Sequence, residues 1–157
     1  MTPLNEFRYL VLAAQRDGNR LLAEALRPLG VTPAQSEVLT VLAGQSPLSL
    51  QALGERLVCE TGSPSRLVAA MVSAGWVARR PSSEDQRRVE LSLTPSGAAV
   101  SAQVAALEQE FLGELEGLLA GAPLAALNET LWRVVAHLPS GKALRLRLLE
   151  EAPGASA

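Results

Sequence analysis

One stretch breaks the helical rhythm of this chain. In VELSLT, residues 89–94, Val89, Leu91 and Leu93 alternate with Glu90, Ser92 and Thr94. A period of two puts the apolar set on one face of a strand. Just upstream WVARR forms a second strand-like run, and PSSEDQ joins the two. Pro81 ends the first run because proline cannot donate to a ladder. The expected product is a two-stranded ribbon with a polar tip. From Arg79 to Glu90 that ribbon carries four arginines and three acids within twelve residues.

Everything around the ribbon has helical spacing. Residues 4–29 place Leu4, Phe7, Leu10, Val11 and Ala14 on one helical face, and Pro28-Leu29-Gly30 ends the run. In VTPAQSEVLTVLAG, Thr32 is an N-cap, Pro33 suits the first helical position and Gln35 completes a capping box. Val38, Leu39 and Leu42 supply its buried face. A short helix follows from Ser49, with Leu50, Leu53 and Leu57 on one side. Next, Ser63 is expected to cap a fourth helix, with Pro64 in its first turn, a stripe of Leu67, Val68, Met71 and Val72, and Gly75 as its stop.

Beyond the ribbon, Thr94-Pro95 repeats the capping logic. Val100, Val104, Leu107, Phe111, Leu115 and Leu118 then step by three and four, the spacing of a helix laid along another helix. Gly-Ala-Pro at 121–123 breaks this run. Leu124, Leu127, Leu131, Val134, Val135 and Leu138 make a last long helix, Pro139-Ser140-Gly141 interrupts, and a short tail helix follows. Three short helices and then a ribbon are the order of a winged helix-turn-helix. The long flanking helices would leave their apolar seams partly open in one protomer, which predicts a dimer.

Composition narrows the function classes. The chain has 157 residues and a net charge of −2, which does not by itself suggest nucleic acid. The distribution does: six arginines lie between Arg56 and Arg88 against three acids, ahead of an acidic C-terminal third. Cys59 and His137 are the only residues of their kinds, so neither an intrachain disulfide nor a Cys/His metal cluster is expected. No apolar run approaches the ~20 residues that span a bilayer, and the N-terminus lacks a signal-peptide pattern. The expectation is a cytoplasmic protein with no cofactor. No catalytic constellation is present, so it is not expected to be an enzyme.

The sequence resembles the MarR-type (multiple antibiotic resistance regulator) transcription factors. The resemblance rests on LGVTPAQSEVLTVLA, LQALGERL, SPSRLVAAMVSAGWV and DQRRVELSLTPSG. Its most specific part is the Asp-x-Arg-x5-Leu-Thr pattern of Asp85, Arg87, Leu93 and Thr94, with Gly97 beyond; AGWV at 74–77 is a second match. It implies a mainly α fold with a small β-wing. Residues 1–29 would form an N-terminal dimerisation helix, 30–97 a winged helix-turn-helix, 98–150 C-terminal dimerisation helices and 151–157 a disordered tail.

The same resemblance implies a homodimeric repressor on a pseudo-palindromic double-stranded DNA operator, released by a small aromatic or phenolic effector. Ser63, Pro64, Ser65 and Arg66 would open the recognition helix in the major groove. Arg87 and Arg88 would sit on the wing, with Asp85 orienting Arg87 toward the minor groove. Phe7, Val11, Leu39, Leu107 and Phe111 would line an effector pocket. Two departures stand out: Ala69 and Ala70 occupy the middle of the recognition helix, and Gln86 stands where a further arginine is common. Two other functions fit the residues, a winged-helix module that binds protein, and a thiol-based redox regulator using Cys59. For Cys59 a small buried hydrophobe is the expected role.

Overall fold

The computed structural model describes residues 1–58, 63–83, 85 and 87–151, the side chains of 149–151 excepted. Each Thr-Pro pair in the chain opens a helix. Thr2 precedes α1 (Pro3–Leu26), Thr32 precedes α2 (Pro33–Gln45) and Thr94 precedes α5 (Pro95–Leu118). In all three the threonine hydroxyl accepts from the N–H three residues on, at 3.3, 3.3 and 2.9 Å. Proline takes the next position, where its missing N–H costs nothing. At Thr32 the capping box is complete, because Gln35 Oε1 also accepts from the Thr32 N–H at 2.9 Å.

A 3-10 turn (Arg27–Leu29) leads from α1 to α2. α2 ends at Gln45, one residue past Gly44. A two-residue strand, β1 (Leu48–Ser49), then enters α3 (Leu50–Gly54), whose first turn is capped by Ser49. α4 (Pro64–Ser73) precedes β2 (Val77–Pro81) and β3 (Val89–Leu93), which run antiparallel. β1 pairs on the other side of β3, with Leu48 opposite Leu91, so the expected two-stranded ribbon is a three-stranded sheet in the order β1-β3-β2. β1 left no mark in the sequence, since two residues carry no period.

The core lies between α2, α3, α4, β3 and the first half of α5. Leu39, Leu42, Leu53, Met71, Leu91 and Val104 are at most 1% exposed. At ~1.5–3 kcal/mol for each such side chain, these residues dominate the stability of the lobe. The alternation in β3 corresponds only in part to burial. Leu91 is buried and Leu93 half-buried, but Val89 is 48% exposed. Val89 pairs with Pro81 at the far end of the ladder, beyond the helices that cover Leu91.

The last long helix and the tail helix expected from the sequence are both present, as α6 (Leu124–Val135) and α7 (Pro139–Glu151), and Pro139-Ser140-Gly141 forms the first turn of α7. Of the tail expected at 151–157, Glu151 closes α7 and residues 152–157 lie outside the described residues. α6 buries none of its side chains in the protomer. Leu124, Leu127, Leu131 and Val134 are exposed along it, as are Leu4, Tyr9 and Leu10 on α1 and Leu115 and Leu118 on α5. The heptad run of α5 therefore starts in the core at Val104 and finishes on open surface.

Candidate nucleic-acid interface

α4 has two faces. Val68 and Met71 are fully buried, whereas Ser65, Arg66, Ala69 and Ala70 face outward. Ser63 occupies the N-cap position with φ −160° and ψ 113°, but its hydroxyl does not cap the helix. It lies 2.8 Å from the Ser65 hydroxyl. In place of the expected side-chain cap the helix mouth carries a pair of hydroxyls in hydrogen-bond contact. Arg66 is one turn in and exposed. A helix start with a pair of hydroxyls, a partial positive charge and an outward arginine suits an anionic partner.

The wing is built by β2, β3 and the turn between them. Asp85 organises that turn through the main chain: its Oδ1 accepts from the Arg87 N–H at 3.0 Å, and its carbonyl accepts from the Arg88 N–H at 2.8 Å. Its other carboxylate oxygen is 3.7 Å from Arg88 Nε. The Ser82 N–H donates to the Arg88 carbonyl at 2.8 Å and closes the base. This is an Asx-type turn, in which a short carboxylate replaces a main-chain acceptor. Asp85 thus holds the backbone of Arg87 and pairs with the guanidinium of Arg88. The Arg87 side chain has no ion-pair partner among the described residues and is exposed. Arg79 and Arg80 are exposed on β2.

One junction sets the wing against α4. Gly75 ends α4 at φ 75°, a conformation that favours glycine. The Thr94 hydroxyl donates to the Gly75 carbonyl at 2.6 Å while accepting from Gly97 N–H, and the Thr94 N–H donates to the Trp76 carbonyl at 3.0 Å. Gly97 is pressed so close to Trp76 that a Cβ there would overlap the Trp76 carbonyl oxygen. The AGWV and LTPSG motifs, about twenty residues apart in sequence, are the two halves of this one contact.

The five residues proposed to line an effector pocket lie on α1, α2 and α5. Phe7 and Val11 are 38% and 41% exposed, Leu107 and Phe111 half-buried, and Leu39 fully buried. None of them lines the described cavities. One of those cavities, of about 450 Å³, opens between α2, β3 and α5 against Leu42, Leu93, Ser101 and Ala105. Cys59 and Gln86 lie outside the described residues. Among the described residues no group of His, Cys, Asp or Glu is placed to hold a metal, and no helix is long and apolar enough to cross a membrane.

With this geometry in place, the likeness to known proteins is direct. Residues 29–88 match the model of the MarR family. The multiple antibiotic resistance protein MarR of Escherichia coli is 32% identical over 127 residues, covering 80% of this chain and 88% of that protein. The chain belongs to the MarR family. A crystal structure of a cysteine-to-serine mutant of E. coli MarR complexed with operator DNA superposes with a TM-score of 0.73 at 32% identity, over 86% of this chain and 99% of that one. The organic hydroperoxide resistance transcriptional regulator of Bacillus subtilis is 28% identical over 109 residues, 69% of this chain and 74% of that protein. This MarR-family chain is accordingly a transcriptional regulator with a winged helix-turn-helix fold, and its named relatives are regulators rather than enzymes.

One feature of the lobe was not foreseen from the sequence. Glu37 on α2 is a buried carboxylate, 8% exposed, that contacts both the approach to α4 and the last helix. The only sequence signal was an acid beside the apolar stripe of α2; its partners lie 21 and 110 residues away.

Proposed function

We propose that this regulator binds double-stranded operator DNA as a cytoplasmic homodimer and acts as a repressor. The observation that carries this is the state of Arg87. It stands exposed and without an ion-pair partner among the described residues, on a turn whose backbone Asp85 already holds, in the same lobe as the open start of α4. A narrow minor groove concentrates negative potential, and an arginine inserted there reads that shape. Ser63, Pro64, Ser65 and Arg66 enter the neighbouring major groove, where the hydroxyls reach phosphate and Arg66 can pair with guanine. Arg88 lies over the backbone. With Ala69 and Ala70 on the outer face of α4, few base edges are read directly, and much of the selectivity falls to the wing.

The dimer follows from the apolar surface of α1, α6 and the end of α5. An exposed run of leucines of that length is far more than a solitary protomer leaves in water. A symmetric dimer buries it and sets the two recognition helices about one turn of DNA apart, ~34 Å, which calls for a pseudo-palindromic site. The effector of this scheme is a small aromatic or phenolic molecule held between the lobe and the dimer helices, near Phe7, Val11, Leu107 and Phe111, with Leu39 behind them. Its binding alters the spacing of the recognition helices.

The test is a titration of the purified protein against duplex DNA from upstream of its own gene, at several salt concentrations. Neutralising a handful of phosphates makes log affinity fall linearly with log salt. A site-specific complex with that slope is expected. Binding indifferent to both salt and sequence would refute the scheme in favour of a protein-binding module.

A further inference from the structure

We propose that Glu37 is a positioning residue for operator recognition, tying α7 to the approach to the recognition helix. This rests on the DNA-binding function proposed above. Glu37 Oε1 accepts from the Val58 N–H at 2.7 Å, and the same oxygen accepts from Arg147 Nη1 at 2.9 Å. Val58 lies in the segment between α3 and α4. Arg147 lies on α7, which packs on α2 and on the partner-facing α6. One carboxylate oxygen therefore joins α7 to the chain that leaves α3.

The pairing is tight for reasons of charge. The Glu37 and Arg147 side chains are 7% and 24% exposed, so both charges have given up much of their water. Each charge offsets the desolvation of the other, so removing one destabilises what remains. A third group, Glu108 on α5, feels both charges. Burial holds the Glu108 carboxyl above the usual glutamate range, the Arg147 charge pulls it down and the Glu37 charge pushes it up.

The experiment compares four full-length variants with the wild type for operator affinity, non-specific DNA affinity, melting temperature and amide exchange at Val58. Arg147→Met should weaken operator binding about tenfold while leaving non-specific binding unchanged and speeding exchange at Val58. Arg145→Met removes the same charge from the same helix, but Arg145 stacks on Trp132 at 5.1 Å and should not affect DNA binding. Arg147→Lys should restore most of the affinity. The neutral pair Glu37→Gln/Arg147→Met removes the stranded charge, so it should regain melting temperature without regaining operator affinity.

Two results would overturn the proposal: Arg147→Met behaving like Arg145→Met, or operator affinity tracking melting temperature across all variants. Failure of the wild type to bind any operator would instead overturn the DNA-binding function on which it rests.

Discussion

Replacing Gly97 with alanine tests the junction between wing, recognition helix and long helix. Propensity alone says that alanine in a helix is better than glycine by about 1 kcal/mol. The structure says the opposite. A Cβ at Gly97 overlaps the Trp76 carbonyl oxygen, a backbone atom that no rotamer change can move. To make room, the start of α5 must retreat from the end of α4. That retreat costs the Thr94 N–H bond to Trp76, worth about 1 kcal/mol, and disturbs the Thr94 cap, worth about 1 kcal/mol. Residual crowding adds about 1–3 kcal/mol. Less the propensity gain, the net destabilisation is about 2–4 kcal/mol, from the three penalties just given.

The assay is urea unfolding at fixed protomer concentration, with Gly113→Ala as control. Gly113 lies on the same helix, and a Cβ added there would meet nothing within 4 Å. It should gain about 0.4–1 kcal/mol, because alanine restricts the unfolded chain. The two substitutions should therefore have opposite signs. Gly97→Ala that is neutral or stabilising would refute the junction as described.

Three further outcomes are expected. Arg87→Ala should weaken specific DNA binding by about 1–3 kcal/mol, read by fluorescence anisotropy; unchanged binding would remove the wing from recognition. Leu131→Asp puts a charge on the exposed apolar face of α6 and should convert the dimer to monomers in sedimentation, whereas an intact dimer would place the interface elsewhere. Glu108 has its carboxyl raised by burial, so the folded state favours the protonated form. Its contribution is fully present at pH below the ordinary glutamate range and is lost as pH rises through the raised value. Glu108→Gln should melt higher than wild type at neutral pH, and the gap should close in acid; a constant gap would show that the carboxyl is not perturbed.

Much of the fold was legible because it is governed by neighbours. The caps at Thr32, Ser49 and Thr94 need only atoms within three residues, and all three form. Ser63 has the same local signature and does not cap; its hydroxyl lies against that of Ser65 instead. The alternation of β3 predicted which residues point inward, but the extent of cover was decided by helices from elsewhere. That is why Leu91 is buried and Val89 is not. The heptad run of α5 indicated helix packing without saying that one half meets the lobe and the other half lies on open surface.

Sequence by itself determined the element types, the helix starts and the two motifs at AGWV and LTPSG, because periodicity and capping act over a single turn or strand. Only the tertiary structure decided that those motifs touch through Gly97 and Trp76, that β1 closes the sheet, and that Asp85 acts on the backbone of Arg87. It alone placed Glu37 between Val58 and Arg147. The reason is distance along the chain: a contact closing a loop of 110 residues leaves no period and no spacing to read. It arises only when packed helices bring two desolvated charges together.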